Sequence, residues 1–331
     1  VFYTNGGADA NESAVYFAKS YSAKSYSAKS YNNNLQNITK NRILRFENSF
    51  HGGSTYIASY LGGDNRKEEK LGHFDLALSS DNILPNPKMS DEGEESLNTI
   101  KHIFEKEHKS ICGILIEGSS GTGGIYTYPE GYLNKVMNLA KKYDLLVIAD
   151  EVMSGFGRTG KMFGFDHCEY EPDMITMAKG ITNGNIPMGG VILSEKLTQQ
   201  FKNSSVNNGL TYSGHPLACV TANACLDEYL KNDMEVIRNC NNLGQILLQK
   251  LNEIKFKYPK LIVDVRGIGL LCCIEFKEGY INEFVKELSK KDIYTFSKDN
   301  NLFIAPPLII DEKLLLEILD NIEDILFRKK I

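Results

Sequence analysis

No apolar run in this sequence approaches the roughly 20 residues that a membrane-spanning helix needs. Nor is there an excess of charge of one sign: the net charge is −5, which gives no reason to expect nucleic acid or an anionic membrane as partner. The six histidines are dispersed, without H-E-x-x-H, and no two cysteines form C-x-x-C, so the common zinc patterns are missing. Also absent is a recognisable beginning. Val1-Phe2-Tyr3-Thr4 has no initiator Met, no basic start and no signal-peptide pattern; it reads as a strand end leading into a glycine turn. The natural N-terminus, with any targeting segment, is therefore expected upstream. Cysteine is present but odd in number, seven, with Cys272 and Cys273 adjacent in an apolar run. A reduced, cytoplasmic compartment is the simplest expectation, with an organelle left open.

What is there is an ordinary globular balance, 42% hydrophobic and 24% charged, over 331 residues. That length suits one large domain and a smaller one. Residues 9–20 read as a helix opened by Asp9, Asn11 and Glu12. Lys-Ser-Tyr-Ser-Ala then stands at 19–23, again at 24–28, and begins once more at 29–31. A period of five matches neither helix nor strand, so 18–41 is expected to be a solvated low-complexity insertion. Beyond it, strands are expected at 42–46, 111–117, 144–150, 173–178 and 188–193, with helices at 94–107 and 130–143. Continuous apolar strands alternating with helices predict an α/β fold with a mainly parallel sheet covered on both faces. A long helical stretch at 215–253, strands within 261–276 and 301–305, and a helix at 311–328 predict a smaller α+β domain. The expected division is 1–225 and 226–331.

In such sheets ligands bind beyond the carboxyl ends of the strands. The 144–150 strand ends in Asp150, and the 173–178 strand runs into Lys179. The turn Asn5-Gly6-Gly7-Ala8 precedes a helix, whose free N–H groups and positive dipole end suit an anion. Taken singly these are weak signals: most such lysines lie on the surface, and most such acids cap helices. Together, a phosphate cradle, an acid and a lysine at strand ends meet the needs of a pyridoxal phosphate enzyme. The lysine forms an imine, or Schiff base, with the cofactor aldehyde. The acid keeps the pyridine nitrogen protonated, and apolar groups flank the ring. Val152 and Phe50 are the candidates for its two faces.

The order of these motifs resembles the class-III aminotransferases of fold type I over essentially the whole chain. Thr4 to Glu12 is similar to that family's phosphate-binding turn, Phe50-His51-Gly52 to its ring-stacking segment, and Asp150 to Gly160 to its signature. Ala178-Lys179-Gly180 resembles its lysine segment, and Thr211 to Pro216 the segment whose threonine reaches the neighbouring subunit's phosphate. Val265 to Leu270 and Ala305 to Leu308 match its small domain. The resemblance implies a homodimer with shared sites. It gives Lys179 and Asp150 as catalytic residues, and Gly7, Ala8, Phe50, Asp150, Val152, Lys179 and Thr211 as contacts to pyridoxal 5′-phosphate. Departures are Gly6 and Ala8 where many members have hydroxyls, Met153 where many have Gln, and Glu117-Gly118 in place of Glu-Pro. That variant is similar to the subgroup acting on ω-amino acids, taurine or amines with pyruvate.

Other readings compete. Gly155 to Gly160 fits the dinucleotide pattern G-x-G-x-x-G, but no helix follows it, which argues against a nicotinamide oxidoreductase. A class-III aminomutase and a catalytically impaired remnant remain alternatives. On substrate, no arginine stands in Tyr294 to Phe303, where an α-carboxylate clamp is expected in the family. Lys298 and Arg158 are the cations left to reach a more distant acid group. The expectation is a donor with its amine on a terminal carbon and a 2-oxo acid, such as pyruvate, as acceptor.

Overall fold

A computed structural model describes residues 1–30, 40–54, 82–121, 123–203 and 205–328. They form two compact units that are discontinuous in sequence, whereas the reading above took 1–225 and 226–331 as continuous pieces. The first unit comprises Val1–Gly118, Tyr128–Met153 and Phe165–Leu226; the second comprises Ser119–Thr127, Ser154–Gly164 and Asp227–Ile331.

The first unit is built on a seven-stranded sheet. Its strands are β1 (Phe2–Thr4), β2 (Arg42–Phe46), β3 (Ile83–Leu84), β4 (Ile111–Glu117), β5 (Leu146–Asp150), β6 (Met174–Met177) and β7 (Gly189–Leu193), in spatial order β1-β7-β6-β5-β4-β2-β3. From β3 to β6 neighbours run parallel; β7 is antiparallel to both β6 and β1. The expected α/β class and mainly parallel sheet are observed. Alternation along the central strands sends side chains into two cores. Ile43, Cys112, Leu146 and Ile148 join one, under helix α1 (Gly7–Ser30) and the short α4 (Glu195–Phe201). Leu44, Phe46, Ile114, Ile116 and Val147 join the other, under α2 (Glu94–Glu107) and α3 (Tyr132–Lys142). Both faces are thus covered, which is why these strands read as unbroken apolar runs.

Helix α1 corrects one expectation. It does not stop at 20 but runs 24 residues, through both full five-residue repeats. Val15, Ala18 and Ser22 are buried along one stripe and Tyr21 packs against the same core. The five-residue period does not decide this, because a helix already nucleated and packed extends at little further cost. The rest of the expected insertion, 31–39, lies outside the described residues.

The second unit holds a four-stranded antiparallel sheet, order β10-β11-β9-β8, from β8 (Ile262–Ile268), β9 (Leu271–Phe276), β10 (Ser297–Lys298) and β11 (Asn301–Ile304). One core joins this sheet to α6 (Ile281–Ser289), α7 (Glu312–Arg328) and the second half of α5 (Pro216–Lys257). The stretch expected as one helix is interrupted. Lys231 is extended, and Asn232, Asp233 and Met234 are left-handed. Arg238 caps this break, donating to Asn232 O at 3.0 Å and to Asp233. Hydrophobic spacing carries no record of such a break.

A buried arginine organises this unit. Arg266 donates from Nε to Gly124 O at 2.7 Å, from its terminal nitrogens to Glu275 at 2.6 Å and Asn301 at 2.7 Å, and lies 4.3 Å from the Tyr126 ring centre. Arg158 donates to Leu270 O at 3.0 Å and Pro306 O at 2.6 Å. Burial pushes its guanidinium below its ordinary pKa. Bound through Nη1 to two main-chain carbonyls, Arg158 is a fastener of this unit. All seven cysteines are free thiols; burial pushes Cys272 and Cys273 up to about 12, so both stay protonated and inert. No helix among the described residues is long and apolar enough to cross a membrane, and none of them forms a metal-ligating cluster.

Phe17 tests how far α1 supports the sheet. It is buried, with edge-on contacts to Phe2 (5.2 Å), Tyr16 (5.6 Å) and Phe201 (5.3 Å). Phe17→Ala should lower unfolding free energy by about 3–5 kcal/mol. Urea unfolding followed by circular dichroism measures it; a loss below about 1 kcal/mol contradicts this packing.

Candidate active site

Parallel pairing brings the chemistry-bearing strand ends together. Glu117 at the end of β4 pairs with Asp150 at the end of β5, and Asp150 pairs with Thr176 on β6. Three residues beyond Thr176 comes Lys179. All three strands therefore deliver polar groups to one edge of the first unit.

Asp150 is buried and heavily solvated by protein. Its Oδ2 accepts Asn11 Nδ2 at 2.8 Å and faces His51 Nδ1 at 2.7 Å; its Oδ1 accepts the Val152 N–H at 3.1 Å. Asn11 Nδ2 also donates to His51 O at 2.8 Å, and Asn11 Oδ1 accepts the Thr176 hydroxyl at 2.7 Å. His51 is 2% exposed, and its other ring nitrogen, Nε2, is buried with no protein partner. A carboxylate on Nδ1 holds the imidazole in the tautomer protonated there, leaving Nε2 as the acceptor.

The turn before α1 lies against this acid. A Cβ on Gly7 would stand 2.8 Å from Val152 Cγ1, so only glycine lets the turn approach this closely. Gly6, in contrast, has open space where its Cβ would be. Thr4 Oγ1 donates to Gly6 O at 3.1 Å, and Ala10 N returns to the same carbonyl at 3.0 Å. That bond starts the helix, so the N–H groups of Gly7, Ala8 and Asp9 have no place in its ladder and point out of its positive end. With no hydroxyls at 6 and 8, these backbone donors carry the anion-binding capacity.

Phe50 is half-buried, and its N–H donates to Glu117 Oε2 at 3.3 Å. Ahead of it Arg45 is buried and donates to Phe46 O at 2.8 Å. Burial lowers the Arg45 pKa, and the charge of Glu117 opposes that shift. Behind it, Ser54 donates to Glu12 on α1. The segment that carries Phe50 and His51 is thus held at both ends. Val152 is half-buried, two residues past Asp150.

Lys179 is exposed at the first position of a 3-10 turn, Lys179–Thr182, with φ +40°. The left-handed region is costly for a residue with a Cβ, and such strain gathers at functional sites. The turn is pinned by Ile181 N to Ala178 O at 3.1 Å and Gly184 N to Lys179 O at 3.0 Å.

The structure therefore joins Gly7, Val152, Asp150 and His51 in direct contact, and sets Phe50 and Lys179 on the adjoining segments. Ala8 stands in the first turn of α1. Thr211 is exposed, in a run of turns before α5. Sequence reasoning overlooked Asn11, which it took for a helix opener. Asn11 is 1% exposed and turned inward. A poor helix former placed on the stripe Val15–Ala18–Ser22 is the signal that pointed there.

Comparison with known proteins gives the family. Residues 1–326 match the aminotransferase class-III family, and the chain belongs to it. It is 35% identical over 294 residues to an uncharacterised aminotransferase, y4uB, of Sinorhizobium fredii, covering 83% of this chain and 59% of that protein. It is 30% identical over 336 residues to mitochondrial gamma-aminobutyrate transaminase 1 of Oryza sativa, covering 94% and 62%. The chain thus spans about three fifths of the length of these relatives. Among solved structures, the taurine:2-oxoglutarate aminotransferase of Bifidobacterium kashiwanohense, in complex with PLP and glutamate, superposes with a TM-score of 0.86 at 30% identity, covering 99% of this chain and 74% of that one.

The strain at Lys179 has a measurable consequence. Lys179→Gly removes the Cβ that opposes φ +40° and loses no packing, since the side chain is exposed. In cofactor-free protein it should hold unfolding free energy constant or raise it by up to about 1 kcal/mol. Thermal unfolding checks this; a clear loss of stability would mean that the lysine backbone is unstrained.

Proposed function

We propose that this chain carries the catalytic centre of a pyridoxal-phosphate-dependent transaminase that moves an amino group from a terminal-amine donor to a 2-oxo acid. The observation that carries the reading is Asp150: a buried carboxylate, oriented by donors from three elements, beside the strand that delivers Lys179.

The residues present fit the cofactor. Its phosphate suits the N–H groups of Gly7 and Ala8 at the positive end of α1. Its pyridine nitrogen suits Asp150, an oriented acceptor that makes a charge-assisted hydrogen bond to a protonated ring nitrogen. Phe50 and Val152 are the apolar groups for its two faces, and the Lys179 amine is the partner for its aldehyde. When bound, pyridoxal phosphate supplies an electron-withdrawing ring that acidifies the carbon bearing the substrate amine.

The chain's own groups do the rest. Lys179 Nζ is the group that would take the proton from that carbon as general base and return it as general acid. The strained turn, held by its own hydrogen bonds, limits where Nζ can travel. Asp150 would hold the ring nitrogen, its carboxylate kept from rotating by Asn11 and His51. Thr211, exposed in a single chain, matches the family segment whose threonine serves the phosphate of a second subunit, and the active form in this reading is a homodimer with shared sites.

The substrate reading rests on the sequence at 294–303, where the family resemblance expects an α-carboxylate clamp. Phe296, half exposed, lies tilted against Phe303 with ring centres 5.0 Å apart, and no arginine occurs between Tyr294 and Phe303. A lysine there cannot reproduce a guanidinium fork, and Arg158 Nη1 is bound to main-chain carbonyls. The gamma-aminobutyrate and taurine transaminases among the relatives support a donor whose acid group lies away from the reacting carbon.

A donor panel tests the function. β- and γ-amino acids, taurine and diamines should convert the bound cofactor to its pyridoxamine form, with wild-type protein and not with Lys179→Ala. If an α-amino acid reacting at its α-amine is faster than every terminal amine by about tenfold, roughly 1.4 kcal/mol in the barrier, the substrate reading fails. If no amine converts the cofactor, the transaminase reading fails.

The shared site is tested by mixing. Lys179→Ala and Thr211→Ala, each nearly inactive alone, should regain part of the activity once hybrids form, because one of the two sites then has both groups. Hybrids demonstrated by mass but without activity contradict a shared site.

A further inference from the structure

We infer that Asn11 is the positioning residue of this site: its side-chain amide sets the rotation of the Asp150 carboxylate and ties it to the segments carrying His51 and Lys179. The inference rests on the transaminase reading for its consequence, and on geometry alone for its mechanism.

Asn11 sits in the second turn of α1, 1% exposed, on a stripe that otherwise carries Val15, Ala18 and Ser22. A polar amide buried among such neighbours costs free energy unless its donors and acceptor are matched. Here the two donors of Nδ2 meet two acceptors, Asp150 Oδ2 and His51 O, each at 2.8 Å, while Oδ1 meets the Thr176 hydroxyl at 2.7 Å. The reverse amide orientation would oppose oxygen to oxygen twice, so the assignment is unique.

Three constraints follow from one side chain. The bond to Asp150 Oδ2 fixes the rotation of the carboxylate, with Oδ1 on the Val152 N–H. The bond to His51 O places the ring whose Nδ1 meets the same Oδ2 at 2.7 Å. The bond from Thr176 fixes the amide to β6, three residues before Lys179. Acid, histidine and the lysine-bearing strand thereby share one reference point on the helix whose N-terminus presents the anion turn. Aspartate cannot substitute. It has the same shape, but it would set an oxygen where Nδ2 stands, 2.8 Å from the carboxylate. The other titratable groups nearby are Glu117 on β4, Glu151 after β5, Lys179 after β6, and Asp9 and Glu12 on α1 itself.

The test uses the full chain and three variants: Asn11→Asp, Asn11→Ala and Thr176→Val. Pyridoxal phosphate affinity, the visible circular dichroism of the bound cofactor and the rate of the amine half-reaction are measured beside thermal stability. Asn11→Asp should lose about 10–100-fold in affinity and half-reaction rate, the worth of a hydrogen bond to a charged group, with a changed dichroic band. Thr176→Val should move the same quantities in the same direction by less, since it frees only one of the amide's three bonds. A cofactor-independent measurement accompanies these: in cofactor-free protein the NMR signals of the His51 ring should shift in Asn11→Ala, because the amide no longer anchors the His51 carbonyl and the carboxylate oxygen that the ring faces. Variants that lose only stability, while dichroism, affinity and the His51 ring signals stay as in wild type, overturn the inference. If wild-type protein binds no pyridoxal phosphate, the transaminase reading falls, and the His51 ring signals alone decide for or against the positioning role.

Discussion

A charge can be kept out of water only where donors are brought to it, and those donors must be held by something that does not yield. At Asp150 they come from a helix, from a segment after β2 and from the residue two places along its own chain. None of these is local to the strand that carries the acid except the last. The carboxylate is therefore a product of the assembled sheet rather than of its own segment. This explains why the strands beneath it are so uniformly apolar. β4 and β5 are buried residue by residue along their whole length, and their two cores fix the level at which Glu117 and Asp150 emerge.

The same requirement explains the density of hydrogen bonding around the Phe50 segment. A half-buried aromatic on a free loop would sample many positions, and stacking would then carry an ordering cost. Here the main chain before it is tied through Arg45, its own N–H is bound to Glu117, and the chain after it is tied to Glu12. The ordering has been done during folding, which is what preorganisation means for a cofactor site. Lys179 shows the complementary case, a residue held in strain because its neighbours over-determine the turn.

Much of this was legible in advance, for reasons that differ from residue to residue. The extents of β2, β4 and α2 match the apolar periodicity closely, because burial on both faces, or on one helix stripe, writes itself directly into composition. Asp150, Lys179 and Gly7 were legible as strand-end and turn residues whose order resembles a family. Asn11 was not, since its partners lie 40, 139 and 165 residues away and only the closed sheet brings them near. The break at Lys231–Met234 was hidden because dihedral angles leave hydrophobic spacing untouched. Helix α1 was underestimated because repetition was weighed above the register it inherits from Val15 and Ala18.

Arg266 carries a lesson about where this chain can be divided. Its partners include Gly124 and the ring of Tyr126, some 140 residues earlier, and the strands it joins are closed only when that early segment is in place. Thr159 and Gly160 likewise meet Gly269 and Asn241 at backbone contact. A polypeptide beginning at Asp227 would contain every strand of the second sheet, yet it would bury a guanidinium with part of its donor fork unmatched. During synthesis, too, the two early segments must wait for the last third of the chain to leave the ribosome, so this unit closes late and as a whole.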